Sequence, residues 1–527
     1  MLRPITLIFL AIVASAQEPV FRTGARLVTV DVVVHNNQGP VKSLTKEDFT
    51  LQDKGKTQTI SLFSMTDSAA PAPKQEPLGP GIVSNRITSS GDSYQSATVI
   101  LFDRLNIPRP LDQAAVRIKV LEFLASLKPT DRVGFYSLGT GLTMVEDFNE
   151  AAGPMAQAAK HLASANQPAP SDPRGQEVEA SLKEALTPTQ QLDMRVRTSV
   201  TVQALQTIAR HLAGVPGRKN LVWVLSDFPL TYGETPDRRT EYESEVSRAG
   251  NILAEANIAA YLMDPRGVTI SGSSTSGSDG PGTTSATEGG LMPKGRGAVA
   301  APSQSVGLSG TETVDMIAKI TGGNTYHQTN DIGADVRKVM EETQVTYMLG
   351  FYVEEKALDG KSHDLNIKLA KKTEANGATL RYRKNYLALP SKQQPHPAMN
   401  DLVDDPFEAT AIGVMAVAVP DSSKPDVDKV QVRVDLNNLQ FEHRADKWIA
   451  AFDLGLAMEG IASGPPVVSN KSMSLNLTDE QLKQGLNAGL IVDNTVPSPP
   501  KPTRLRVVVQ DRGSGLAGSV RVPIAPR

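Results

Sequence analysis

The side chains best suited to chemistry are carboxylates and a hydroxyl that directly follow apolar, β-branched runs. They are Asp103, Thr140 between two glycines, Asp227 and Asp264, which follow residues 97–102, 132–138, 222–226 and 258–263. In open α/β sheets, ligands gather at the carboxyl ends of the strands, so we expect these side chains on one sheet edge. Carboxylates and hydroxyls are the ligands that a hard divalent cation requires. The sequence therefore predicts a cation or partner site at that edge.

Other catalytic arrangements have little support in the sequence. The chain has no cysteine, which excludes thiolate chemistry, thiolate metal sites and disulfides. Its seven histidines are scattered, without a His-Glu-x-x-His motif, and no Gly-x-Ser-x-Gly elbow precedes a helix. A Ser–His–Asp triad stays open as an alternative, because triads assemble from distant positions. We predict that the protein is not an enzyme.

The charge distribution argues against a nucleic-acid partner. The chain carries 54 basic and 57 acidic residues, a formal net charge of −3, and they are spread along its length. One local basic stretch contains Lys368, Lys371, Lys372, Arg381, Arg383 and Lys384. We interpret this stretch as a solvated strand face, with an anionic polymer partner as the alternative.

Strands and amphipathic helices alternate between residues 97 and 353. Apolar residues at helical spacing, such as Val202, Leu205 and Ala209, separate the β-branched runs. This alternation predicts an α/β domain with a mostly parallel sheet that helices cover on both faces. Two irregular insertions are expected within it, a proline- and charge-rich one at residues 167–190 and a Gly/Ser/Thr-rich one at residues 267–310.

The segments on either side of this domain are β-patterned. Residues Val430, Val432 and Val434, for example, alternate with polar residues, which predicts strands with one buried face. A short helix is expected around residues 479–486. Prolines indicate the linkers between the segments. We expect a small β-rich N-terminal module at 23–65, a linker at 66–96, a β extension at 354–388, a second linker at 389–406 and a β-sandwich-like C-terminal domain at 407–527.

The first residues have the layout of a secretory signal. A short basic start precedes an apolar run at residues 5–13, and the small-x-small sequence Ala14-Ser15-Ala16 follows. The run is shorter than the ~20 residues that a membrane-spanning helix needs. We therefore expect a signal peptide at residues 1–16, cleavage after Ala16, no transmembrane segment in the mature chain, and secretion or retention in the periplasm or cell envelope.

Residues 97–345 resemble a von Willebrand factor A domain. The landmarks in the family's order are the strand ending in Asp103, residues 129–135, Leu225-Ser226-Asp227 and residues 317–326. This resemblance implies a central, doubly wound, mostly parallel sheet of the Rossmann type, with β-rich modules beside it. More narrowly, residues 28–63, 214–221 and 264–267 resemble the von Willebrand factor A-related exported proteins of acidobacteria, and this resemblance covers most of the mature chain.

The resemblance implies a metal-ion-dependent adhesion site, but an incomplete one. In the family, an Asp-x-Ser-x-Ser motif, a distant threonine and a later aspartate bind the cation. Asp103 and Asp227 match the two aspartates, whereas Leu105 and Ile107 occupy the serine positions and offer no oxygen. A Mg²⁺ ion would lack part of its octahedral ligand set. We therefore expect no firmly bound cofactor and at most weak binding of Mg²⁺ or another divalent cation; alternatively, the two aspartates cap helices and hold loops.

The other positions of this site are less well defined by the sequence. The family's threonine would fall near Ser199 or Thr201, and no Gly-Thr turn decides between them. Asn106 could offer an amide oxygen, although it lies one position outside the motif. Both observations favour a remodelled site.

The sequence thus predicts an exported, non-enzymatic binding or adhesion protein. Its partner would be a protein or an extracellular or envelope polymer, recognised at the sheet edge around Asp103, Asn106, Thr140 and Asp227. The alternative is an envelope-associated scaffold or assembly component whose β modules make the contacts. A third hypothesis, an exported hydrolase, rests only on a serine-rich loop and the scattered histidines.

Overall fold

A computed structural model of the chain defines where these segments lie. It describes residues 25–67, 78–86, 97–107, 110–129, 131, 133–148, 150–164, 166–189, 192, 194–226, 236–264, 310–327, 331–370, 377–390, 396–424, 426–459, 469–499, 501 and 503–525. The expected signal peptide and most of the insertion expected at 267–310 lie outside these residues. Among the residues described, no helix has the length and apolar character needed to cross a bilayer.

The first described strands are apolar at alternating positions. In the longest of them, Val28, Val30, Val32 and Val34 point into one core and are fully or almost fully buried. The strands are β1 (Ala25–Asn36), β2 (Gly39–Pro40), β3 (Phe49–Asp53), β4 (Lys56–Gln58), β5 (Leu62–Asp67) and β6 (Val83–Ser84).

An α/β unit follows. Its elements are β7 (Thr98–Asp103), α1 (Pro110–Ala125), β8 (Val133–Leu138), β9 (Leu142–Glu146), α2 (Gly153–Ala163), α3 (Pro173–Ala185), α4 (Met194–Leu212), β10 (Lys219–Val224), α5 (Pro236–Glu255), β11 (Ile258–Met263), α6 (Gly310–Thr321), β12 (Asn324–Tyr326) and α7 (Ile332–Glu342). The sheet order is β12-β11-β10-β7-β8-β9, in which β9 alone runs antiparallel to its neighbour. The α/β character and the parallel strands agree with the sequence prediction.

Helices cover both faces of this sheet. One apolar core joins α4, α5 and α6 to the sheet, and a second core joins α1, α2, α3 and α7 to its other face. Every residue of β7, β8, β10 and β11 is buried as a consequence. Such continuous burial explains why these strands are apolar throughout rather than alternating.

The segment at residues 167–190 differs from the irregular insertion that the sequence indicated. Its central part is helix α3, whose Asp172 side chain accepts a hydrogen bond from the Gly175 N–H at 2.8 Å. Pro173 occupies the first turn, where a helix tolerates proline, and Val178 and Leu182 are buried against the sheet. The proline that suggested irregular structure therefore marks a helix start.

The strands after the α/β unit return to the first strands of the chain. They are β13 (Val345–Glu354), β14 (Ser362–Leu369), β15 (Thr379–Arg381) and β16 (Asn385–Leu387). β13 lies between β1 and β5, and β14 pairs with β3, so the sheets β15-β1-β13-β5 and β16-β14-β3-β4 enclose one apolar core. We call this part the N-terminal β unit. It replaces the separate module expected at 23–65 and extension at 354–388, and β13 belongs to it rather than to the α/β unit.

The last described part is the C-terminal β unit, in which two sheets enclose an apolar core. Its elements are α8 (Met399–Val403), β17 (Val414–Pro420), β18 (Val427–Val434), β19 (Glu442–Arg444), β20 (Lys447–Met458), β21 (Ser469–Leu477), α9 (Asp479–Ala488), β22 (Leu490–Pro497), β23 (Thr503–Asp511) and β24 (Ala517–Ile524). The sheets are β22-β18-β17-β6 and β19-β20-β23-β24, with β21 also paired to β20. This arrangement agrees with the sandwich-like pattern, and α9 agrees with the expected helix.

Both segments expected to be linkers contribute structure to this unit. β6 pairs with β17, and the Asn85 amide donates to the carbonyl oxygens of Ala409 and Ile412 at 2.7 and 2.8 Å. Within the second segment, Leu402 of α8 packs with Val508 of β23. Residues from before and after the α/β unit therefore build both the N-terminal β unit and the C-terminal β unit.

Candidate functional site

The predicted edge is built around the last residue of β7. Asp103 is completely buried, and its Oδ1 accepts a hydrogen bond from the Asn106 N–H at 3.0 Å. This bond closes a short 3-10 helix, Arg104–Asn106, directly after the strand. The turn brings the Asn106 side chain back over the carboxylate. Asp103 and Asn106, both predicted from the sequence, are therefore in direct contact.

The Asn106 amide joins three elements. Its Nδ2 donates to Asp103 Oδ2 at 2.7 Å and to Thr201 Oγ1 on α4 at 2.9 Å. Its Oδ1 accepts from Arg197, also on α4, with Nη2 at 2.9 Å and Nε at 3.3 Å. The amide N–H₂ group thus donates to two oxygens, and the amide oxygen accepts from the guanidinium. The carboxylate and the guanidinium are connected through one neutral side chain.

The neighbouring strand β10 completes the arrangement. Trp223 Nε1 donates to Asp103 Oδ2 at 2.8 Å. The Ser226 N–H and hydroxyl both lie within hydrogen-bonding distance of the Asn106 carbonyl, at 3.1 and 3.3 Å. β7, α4 and β10 are therefore fixed to one another by polar side chains at this edge. We call Asp103, Asn106, Arg197, Thr201 and Trp223 the edge network.

Burial dominates the electrostatics of the edge network. It raises the pKa of Asp103 to about 6, while hydrogen bonds from Asn106 and Trp223 and the charge of Arg197 act in the opposite direction. A carboxylate with three N–H donors and a nearby cation is mainly ionised at neutral pH. Arg197 is itself buried, with only 7% of its surface exposed.

The described residues around Asp103 offer few free ligands to a divalent cation. Both Asp103 oxygens already accept N–H donors, and Leu105 and Ile107 are buried in the two apolar cores on opposite faces of the sheet. An octahedral Mg²⁺ site needs several oxygen ligands, which these positions do not offer. In the part of the chain that the structure describes, no group of three or more His, Cys, Asp or Glu side chains could hold a metal ion. Asp227, the second predicted ligand, lies outside the described residues.

Thr140 lies on the same edge but outside the network. Asp103 is paired with Leu138, two residues before it, and Thr140 is exposed in the turn between β8 and β9. Arg104 packs beside Gly139, where a side chain would come within 2.7 Å of Nη2, and donates to the Thr187 carbonyl after α3. Among these positions, Thr140 is accessible to a partner, whereas Asp103 and Asn106 can only shape the surface from beneath.

Sequence reasoning missed Arg197 and Trp223 and left the threonine undecided. Ser199 is exposed, whereas Thr201 is fully buried and accepts a hydrogen bond from Asn106 in the edge network. Arg197, Thr201 and Leu205 recur every four residues along α4, so they share one helix face. That spacing could have placed Arg197 beside the threonine, although a helical arginine more often faces solvent.

The similarity of the chain to known proteins comes from solved structures. No family model and no curated protein matches the chain. Among solved structures, it is similar to a von Willebrand factor type A protein from Catenulispora acidiphila, with 8% identity, coverage of 93% of this chain and 75% of that one, and a TM-score of 0.23. It is also similar to an aerotolerance-related membrane protein from Bacteroides fragilis NCTC 9343 with multiple mutations to serines, with 13% identity, coverage of 47% and 99%, and a TM-score of 0.24. The structural neighbours thus include a von Willebrand factor type A protein, at a low overall likeness.

Proposed function

We propose that the chain is an exported, non-enzymatic binding or adhesion protein that recognises a protein or an envelope polymer at the carboxyl edge of its parallel sheet. The observation that carries the proposal is the position of the edge network between β7 and β10. The chain proceeds from β7 to β8 and β9 on one side, and to β10, β11 and β12 on the other. Open α/β sheets bind their ligands at such a switch in strand order. The doubly wound, von Willebrand factor A-like character of the unit is part of this proposal.

The closed edge network supports recognition rather than catalysis. Neither Asp103 nor Asn106 exposes any surface, and their polar atoms are engaged with protein groups. A general acid or base must reach the atom that it protonates or deprotonates. Exposed residues above the network, such as Thr140, would contact the partner, and the network would hold the loops that carry them.

A substitution at Thr140 tests this proposal. Thr140→Arg places a bulky cation on the exposed turn without entering a core, and we expect binding of the full chain to envelope polymers or surface proteins to weaken at least tenfold. Thr57→Arg, on the exposed strand β4 of the N-terminal β unit, is the matched control and should bind as the wild type does. Biolayer interferometry with immobilised candidate partners measures both. Unchanged binding by Thr140→Arg would exclude this part of the edge.

Export is a separate part of the proposal and has its own test. If residues 1–16 are a cleaved signal, the protein recovered outside the cytoplasm should begin at Gln17. Mass spectrometry of the N-terminal peptide, in the exported and cytoplasmic fractions, measures this. A cytoplasmic protein that retains Met1 would contradict it.

The interleaved course of the chain favours an envelope scaffold as the second candidate. Strands from before and after the α/β unit build the N-terminal β unit, and β6 joins the C-terminal sheet, so the units are tied together. In a scaffold, exposed apolar residues of the C-terminal β unit, such as Val419 and Ile491, would make the contacts. Ile491→Asp would then abolish assembly while Thr140→Arg would not. The opposite result supports the edge.

A further inference from the structure

We infer that Asn106 and Arg197 take the place of a divalent cation at the carboxyl edge, so that this edge is organised without a metal. The inference deepens the proposed function and rests on it for its biological meaning, but its structural basis is independent. It concerns what fills the space between Asp103 and Thr201, the aspartate and threonine that a cation at this edge would join.

The first argument is steric. Asn106 Nδ2 lies 2.7 Å from Asp103 Oδ2 and 2.9 Å from Thr201 Oγ1, so it sits between the two oxygens. A Mg²⁺ ion bound to the same oxygens would lie about 2.0–2.1 Å from each. An ion that bound both oxygens from the side on which Nδ2 lies would overlap with the amide. One excludes the other unless the turn at residues 104–106 rearranges.

The second argument is charge. A buried carboxylate needs a compensating charge, because desolvation of an unpaired ion costs several kcal/mol. Arg197 supplies this charge. Its guanidinium donates two N–H groups to Asn106 Oδ1, and Asn106 Nδ2 donates to Asp103. Asp103 and Arg197 together carry no net charge. A divalent cation added here would meet the guanidinium as a like charge.

The third argument is that the surrounding residues hold the turn in place. Leu105 packs in the core that contains α4, and Ile107 packs in the core that contains α1. Gln113 Nε2 on α1 donates to the Ile107 carbonyl at 2.8 Å. Moving the backbone of the turn at residues 104–106 away from the carboxylate would pull Leu105 and Ile107 out of these two cores. The protein-derived arrangement is therefore the stable one.

The wild-type chain provides the first test. Isothermal titration of the full chain with Mg²⁺, Mn²⁺ and Ca²⁺ in turn should give no binding heat, and thermal unfolding should give the same Tm with millimolar cation as with EDTA. A rise in Tm with any of the three ions, accompanied by binding heat that Asp103→Asn abolishes, would overturn the inference. This measurement decides the inference even if substituted chains do not fold.

A double variant tests the two named residues directly. Asn106→Ser/Arg197→Met leaves a hydroxyl near Asp103 and removes the internal cation, so we expect a lower Tm that divalent cations partly restore. Asn220→Ser is the matched control: this asparagine is also fully buried and donates to Thr343 and Thr98, at the opposite end of the sheet. It should lower the Tm without any response to cations. A folded double variant that does not respond would show that other features exclude the ion.

These measurements use no partner, so they separate the inference from the proposed function. If Thr140→Arg leaves partner binding intact while the wild type ignores cations, the proposed recognition surface is wrong and the inference stands. If wild-type unfolding depends on cations while Thr140→Arg loses partner binding, the inference is wrong and the proposed recognition surface stands.

Discussion

Two regions of the molecule each bury an aspartate, but they satisfy it to different degrees. In the edge network, Asp103 accepts hydrogen bonds from Asn106 and Trp223. On β1, neither oxygen of Asp31 accepts a hydrogen bond from any residue that the structure describes, although only 6% of this residue is exposed. Asp103 is held by contacts with defined geometry, whereas Asp31 is held by the surrounding electrostatic field.

The cations near Asp31 explain this difference. Arg218, Lys219 and Arg383 lower its pKa through their charge, against the larger effect of burial, which raises it. Each of them donates instead to a backbone carbonyl, of Gly322, Val215 and Thr29 respectively. Arg218 and Lys219 belong to the α/β unit, whereas Asp31 and Arg383 belong to the N-terminal β unit, so Asp31 lies near cations of both units. A buried charge at a junction can be balanced without direct pairing, whereas the edge network requires specific partners.

The largest expected effect comes from removing the cation of the edge network. Arg197→Met leaves the Asp103 charge uncompensated and Asn106 Oδ1 without its guanidinium donors, so the free energy of unfolding should fall by about 3–5 kcal/mol. Arg197→Lys keeps the charge but cannot form both N–H contacts, so it should lose less. Urea unfolding followed by circular dichroism measures both. Equal losses for Met and Lys would show that packing, rather than charge, is decisive.

Replacing each aspartate with asparagine removes its charge and keeps the shape of its side chain. Asp103→Asn places an N–H₂ group opposite existing donors and should lower the free energy of unfolding by about 3 kcal/mol. Asp31→Asn breaks no hydrogen bond within the described structure and relieves the desolvation of a carboxylate, but it leaves Arg218, Lys219 and Arg383 without its charge, so we expect a smaller loss than for Asp103→Asn. The measurement is urea unfolding at neutral pH. A larger loss for Asp31→Asn would mean that the field of its three cations outweighs the hydrogen bonds of Asp103.

The sequence predicted the framework of the edge but not its interior. β7, β8, β10 and β11 and the exposed turn at Thr140 follow from apolar runs and the residues after them, because parallel strands end on a common edge. Arg197 was not predictable in the same way. A charged residue on an amphipathic helix usually faces solvent, and only the tertiary contact with Asn106 explains its burial.

The pairing of distant strands could not be predicted from a single sequence either. Alternation in β1 and β13 indicates which face is buried but not which strand lies alongside, so the pairing across the whole α/β unit was missed. Similarly, an apolar residue on a helix does not by itself identify the buried face, since 58% of Ile118 on α1 is exposed. The helix packs instead through Val116, Val120 and Phe123.

A smaller effect of the edge network is expected on how the free energy of unfolding depends on pH. Since burial raises the pKa of Asp103 to about 6 from 3.8, the folded state binds a proton at pH values where the unfolded chain has lost it. Stability therefore falls as the pH rises from about 4 to about 6, by about 2 kcal/mol. Asp103→Asn should lack this component, so the difference between its unfolding free energy and that of the wild type should change over this range. A constant difference would contradict the raised pKa.

The smallest effect is expected at the contact between the α/β unit and the C-terminal β unit. His211 lies among Tyr136, Phe148 and Phe407, with its Nδ1 2.9 Å from the Glu408 carbonyl and its Nε2 3.5 Å from Asp147 Oδ1. Burial lowers the pKa of His211, but the nearby Asp147 carboxylate and Glu408 have a larger effect in the opposite direction, so the net shift of this pKa is upward.

A raised histidine pKa contributes stability below the unfolded value of 6.5 and loses it as the pH rises through the folded value. His211→Gln should therefore reduce the free energy of unfolding more at mildly acidic pH than at mildly alkaline pH. His327→Gln, at an exposed histidine of the same unit, is the matched substitution outside this contact. If His211→Gln loses the same stability at both pH values, the contact with the C-terminal β unit depends on the aromatic packing of the ring and not on its charge.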